Sequence, residues 1–127
     1  MIEVALVFDR EGRTLHWHLP SGGSAVSIPD SRSLWEVLWT YRHELGGVAH
    51  THPWDGRPVP SHVDLTTWSA CERALGARLV WPIVTWTEVA SFVWKGPETL
   101  DYERQKRPAI QVGDLEELWR KSRKEAP

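Results

Sequence analysis

Gly47-Val48-Ala49-His50-Thr51-His52-Pro53, followed by Ser61-His62-Val63-Asp64, is where the periodicities of this chain meet its chemistry. A glycine pair ahead of a short apolar run predicts a strand. Two histidines two residues apart on a strand send their imidazoles to the same face. Ser61 and Asp64 have the S-x-x-[DE] spacing of a helix capping box, in which the serine takes one free amide and the acid another. An aspartate in that first turn can close a three-ligand zinc set with His50 and His52. One position then stays open for water, as in catalytic rather than structural zinc sites. Each part alone has an ordinary explanation, chance for the histidine pair and capping for Ser61 and Asp64. Their order is what points to a metal.

Outward from this stretch the chain is punctuated clearly. Leu34, Leu38, Tyr41 and Leu45 form the apolar stripe of an amphipathic helix, with Ser33 and Glu36 as its capping box and Gly46-Gly47 as its stop. Before it, residues 20–30 read as a loop. Ile2, Val4, Leu6 and Phe8 alternate with Glu3, Ala5 and Val7, and Asp9-Arg10-Glu11-Gly12 turns the chain into a second alternating run, 14–19, so a hairpin is expected. After Pro53 a proline-bearing loop leads to a helix running from Ser61 through Leu65, Trp68 and Leu75 to Gly76. Residues 79–86 and 89–94 are β-rich strands, and Gly96-Pro97 is expected to end the sheet. Residues 98–112 have no clear pattern. Residues 114–124 place acids first and bases last, which suits a helix dipole; its small apolar side, Leu115, Leu118 and Trp119, predicts packing at the domain edge.

Length and composition set the outer bounds. The 127 residues suit one domain, 1–127, with a single core. Fifteen basic against 17 acidic side chains give no electrostatic pull towards nucleic acid or an anionic membrane. No apolar run reaches the length of a membrane span, and Met1-Ile2-Glu3 lacks the features of a signal peptide, so a cytoplasmic location is expected. Cys71 is the only cysteine, leaving His, Asp and Glu as metal ligands. Most of the nine tryptophans are expected in the core, but Trp54 stands near enough to the histidines to line a substrate cleft. His16 and His18 read as the solvent side of a hairpin strand, and His43 and His62 as helix-surface residues.

The ordered set of glycine pair, H-x-H-P strand, loop and S-x-x-D helix resembles the JAMM motif of the MPN (JAB1/MPN/Mov34) metalloproteases, in particular compact prokaryotic-type members. The resemblance spans residues 2–95 in element order. It implies an α/β (α+β) fold with a mixed central β-sheet flanked by helices, one zinc ion held by His50, His52 and Asp64, and Ser61 stabilising a tetrahedral intermediate. The family's catalytic glutamate falls on Glu3, 47 residues before His50 and followed by Val4-Ala5-Leu6-Val7; Glu44 and Glu88 are weaker substitutes. The chain departs from the family in lacking a helix ahead of Glu3 and in a His52–Ser61 loop one residue longer. The implied activity is that of a zinc isopeptidase or peptidase, deubiquitinase-like, acting at the C-terminal tail of a ubiquitin-like protein. Two other readings use the same residues. A non-catalytic MPN-like module would bind partners through a Trp-rich surface, and a small-molecule zinc amidase would carry a deep, closed pocket.

Overall fold

Both faces of the first alternating run are apolar, so it forms a strand that can be covered on either side. This is β1 (Ala5–Asp9), which turns at Gly12 and pairs antiparallel with β2 (Thr14–His18). The computed structural model describes residues 3–19, 32–52, 56–108 and 110–122. Helix α1 (Arg32–Thr40) leads into β3 (Leu45–Thr51), and helix α2 (His62–Leu75) into β4 (Trp81–Val84). Then come β5 (Val89–Trp94), β6 (Tyr102–Arg104) and helix α3 (Val112–Ser122). The strands form one sheet in the order β2-β1-β3-β4-β5-β6. Only the β3–β4 pair is parallel, because a helix crosses between them; the other pairs are antiparallel. The result is a single domain with a mixed, open sheet flanked by helices, the α+β architecture of the MPN/JAB type.

Alternation along the strands divides the core in two. Ala5, Val7, Val48, Ile83 and Phe92 pack with Leu34 and Leu38 of α1 and Trp68 of α2. Val4, Leu6, Phe8, Ala49 and Val84 face the other way and meet Leu118 of α3. Helix α3 thus covers a sheet face instead of lying at the domain edge, and its narrow apolar stripe suffices because Leu118 is fully buried.

Several expectations need correction. Gly46 and Gly47 do not stop a helix. Helix α1 ends at Thr40, a turn follows, and both glycines lie inside β3 together with Leu45. Their lack of a side chain serves close approach: a Cβ at Gly46 would meet the Asp9 carbonyl, and one at Gly47 the Val80 carbonyl and the Phe8 ring. Ser33 lies within the first turn of α1 instead of ahead of it, and Glu36 pairs with Arg32 at 3.5 Å. The sheet continues past Gly96-Pro97 to β6, a three-residue polar edge strand too short to announce itself. Among the described tryptophans only Trp68 and Trp81 are buried, while Trp39 is 46% exposed beneath the Arg42 guanidinium. His18 is buried instead of solvent-facing. Burial, with a smaller effect of His16, pushes its imidazole pKa down.

Gly47→Ala is expected to lower unfolding stability by about 3 kcal/mol in urea titration, since backbone rather than a flexible side chain blocks the new methyl. A midpoint equal to that of the parent would contradict the close approach. On α2, burial first and the neighbouring Glu72 second push the Cys71 thiol up to about 11. Iodoacetamide should therefore modify it slowly at pH 8, about tenfold faster per pH unit up to pH 10. Complete modification within minutes at pH 8 would refute this.

Candidate metal centre

Central position in the sheet is what makes the end of β3 a rigid platform. On one side the Thr51 amide donates to the Val4 carbonyl at 3.0 Å, and the Val4 amide donates to Thr51 Oγ1 at 2.8 Å. On the other side the His52 amide donates to the Val84 carbonyl at 2.8 Å. His50 and His52, both 3% exposed, therefore project to the α2 face from a backbone held on both flanks.

The third member comes from the start of α2. Ser61 is the N-cap, its Oγ accepting from the Asp64 amide at 3.0 Å, while the Ser61 amide donates to Asp64 Oδ2 at 2.9 Å. This reciprocal pair is the expected capping box, and it aims the Asp64 carboxylate at the histidines. Gly76, at φ 69°, closes the same helix as the expected left-handed cap.

The donor atoms of His50, His52 and Asp64 converge. The two Nε2 atoms are 2.9 Å apart, His52 Nε2 lies 3.1 Å from Asp64 Oδ2, and His50 Nε2 lies 3.4 Å from Asp64 Oδ1. Donors on a tetrahedral zinc with bonds of about 2.0–2.1 Å stand roughly 3.3 Å apart, and each histidine nitrogen lies near that distance from the Asp64 oxygen that faces it. A cation at their centre would take a lone pair from each of the three residues at once. Burial alone would raise the Asp64 carboxyl pKa, but hydrogen bonds with His50 and His52, the charge of His50 and the Ser61 amide outweigh it. The group is held well below the usual carboxylate range. Asp64 is thus ionised, as a metal ligand must be. Among the described residues these are the only three side chains of metal-binding type so grouped, and all three are buried.

The other candidate residues fall in different places. The β1–β3 register pairs Ala5 with His50, and Glu3 lies two residues ahead of that pair. Glu3 is half-buried there, next to the Val4–Thr51 tie. Glu44 precedes β3 at its other end, about 20 Å of strand from His50, too far to serve it. Glu88 is an exposed residue of the β4–β5 turn. Trp54 lies outside the described residues. His43 and His62 are exposed, as expected of surface positions. A cavity of about 550 Å³, lined by Phe8, Arg10, Gly12, Leu45, Gly46 and Val80, opens at the opposite end of β3, away from the histidines.

Sequence reading missed two residues of this neighbourhood. Thr51, between the two histidines, points to the other face and anchors Val4. Trp68, one turn after Asp64, sets its ring edge-on to His50 at 6.4 Å between centroids. The four-residue spacing from Asp64 was the available signal for Trp68; nothing local distinguishes Thr51.

Thr51→Val keeps the shape but leaves the buried Val4 amide without its acceptor. A loss of about 1–3 kcal/mol in urea unfolding is expected, with faster hydrogen exchange at Val4; unchanged exchange there would refute the anchoring role. No protein-family model and no curated protein matches the chain, so the chemistry of the centre is read from its own atoms.

Proposed function

We propose that the protein is a zinc-dependent peptidase or isopeptidase of the JAMM type that cuts after the C-terminal tail of a ubiquitin-like protein, either removing a conjugate or trimming a precursor. The observation that carries this reading is the convergence of His50, His52 and Asp64 within 4.8 Å, with Ser61 hydrogen-bonded to one of them. His50 and His52 would hold the ion through neutral Nε2 atoms and Asp64 through its carboxylate. When bound, zinc supplies Lewis acidity, lowering the pKa of a coordinated water towards about 7 and polarising a carbonyl.

The remaining roles belong to the chain's own side chains. Glu3 is the proposed general base: its carboxylate takes a proton from the attacking water and passes it to the departing amine, a lysine side chain when the bond is an isopeptide. Its place two residues ahead of Ala5, the β1 partner of His50, supports this role. Ser61 Oγ already accepts from the Asp64 amide, so its hydroxyl hydrogen is available to donate to the developing oxyanion from a fixed helix start. Strand β2 stands at one edge of the sheet. An extended tail can add there by strand pairing.

Purified protein should contain one zinc per chain by elemental mass spectrometry, lost in His52→Ala; protein that takes up no zinc at neutral pH would sink the proposal. Incubation with ubiquitin-like fusions should give a product whose mass ends at the modifier's tail. Glu3→Gln should retain the metal and lose turnover by at least about 100-fold. Retained turnover would remove Glu3 from the mechanism.

A further inference from the structure

Asp64, Trp68 and Glu72 follow one another at four-residue spacing and so form a single stripe along α2. All three are buried, and Glu72 is only 2% exposed. A carboxylate is seldom so buried unless it is paired. Here its oxygens receive four donors. Oε1 accepts from Arg78 Nη1 at 2.9 Å and from the Tyr102 hydroxyl; Oε2 accepts from the Leu79 amide at 2.8 Å and Trp81 Nε1 at 3.0 Å. The roughly four lone-pair sites of a carboxylate are thereby all used.

Two of those donors belong to the rings that grip Trp68. Trp81 stacks on it at 5.3 Å and 11°, and Tyr102 meets it edge-on at 5.3 Å. Trp68 in turn lies edge-on against His50 and sits one turn from Asp64. Contact is therefore continuous from the Glu72 carboxylate, through the Trp81 and Tyr102 rings, to Trp68 and the metal-binding residues. Geometry makes this matter. Side chains end about 5–6 Å from a helix axis, so a roll of α2 by roughly 10° displaces the Asp64 carboxylate by about 1 Å. That is half a zinc–ligand bond.

We infer that Glu72 is a positioning residue of the metal centre: by holding Trp81 and Tyr102 around Trp68 it fixes the roll of α2, and with it the places of Asp64 and His50. The inference rests on the reading of His50, His52 and Asp64 as zinc ligands.

The test compares zinc affinity, by competition with a chromophoric chelator, and the visible absorption of the cobalt(II)-loaded protein, which reports ligand geometry. Glu72→Gln has the same shape but replaces one acceptor oxygen with an NH2 group. The zinc Kd is expected to rise about tenfold or more, with an altered cobalt spectrum and retained far-ultraviolet circular dichroism. Tyr102→Phe keeps the ring on Trp68 and removes one donor, so a smaller rise of severalfold is expected; it carries the test if Glu72→Gln does not fold. Leu118→Ala, on the opposite sheet face, destabilises the domain but should leave both metal readouts unchanged. The inference is overturned if the folded Glu72 and Tyr102 variants lose thermal stability yet match the parent in zinc Kd and cobalt spectrum. If the parent itself binds neither metal, the zinc reading falls, and this inference falls with it; parent binding with unchanged variants removes only the role of Glu72.

Discussion

Hydrogen bonding of β3 on both flanks is the constraint from which the rest follows. A strand paired antiparallel with β1 and parallel with β4 has no freedom to shift register, since a slip of one residue would turn His50 and His52 to the α3 face. The glycine pair at its start lets Asp9 and Val80 close in from either side. The parallel partner also demands a crossover, and α2 is that crossover. Its N-terminus must therefore begin near the end of β3, where the histidines are.

Helix capping and the candidate metal centre meet in one carboxylate. Asp64 Oδ2 accepts from the Ser61 amide and faces His52, while Oδ1 faces His50. A helix start that is merely capped would leave such an acid half in water. Here the residue is 4% exposed, and its negative charge is matched by an amide, the helix dipole and the imidazoles. The same helix carries a second buried acid, Glu72, whose partners come from β4, β6 and the segment joining α2 to β4. One acid is satisfied entirely by the protein. The other has a face turned to two imidazoles.

What the sequence disclosed follows the range of the interactions involved. The Ser61–Asp64 box, the Gly76 cap, the β1–β2 hairpin and the strand at 89–94 are set by neighbours a few residues apart, so spacing alone revealed them. Gly46 and Gly47 misled because a glycine after an amphipathic run looks like a helix stop, whereas their actual reason lies in residues 9 and 80. Glu72 carries no signal in the sequence because its donors lie as far away as residue 102. His18 looked exposed because alternation cannot tell which face of a hairpin will be covered. The trio of His50, His52 and Asp64 was legible as a pattern, but its convergence depends on how far α2 rolls, which no local spacing encodes.

The tie between Val4 and Thr51 bridges 47 residues, and it has a consequence for how the centre comes into being. Helices and hairpins can form as soon as their own residues are available, but β1 gains its inner neighbour only when β3 arrives. The closure of so long a loop costs entropy that only the completed sheet returns. The first strand must therefore wait, hairpinned to β2, while the chain that will seat it is still being collected. The platform that carries His50 and His52 is thus complete only when the two ends of this 47-residue span have met.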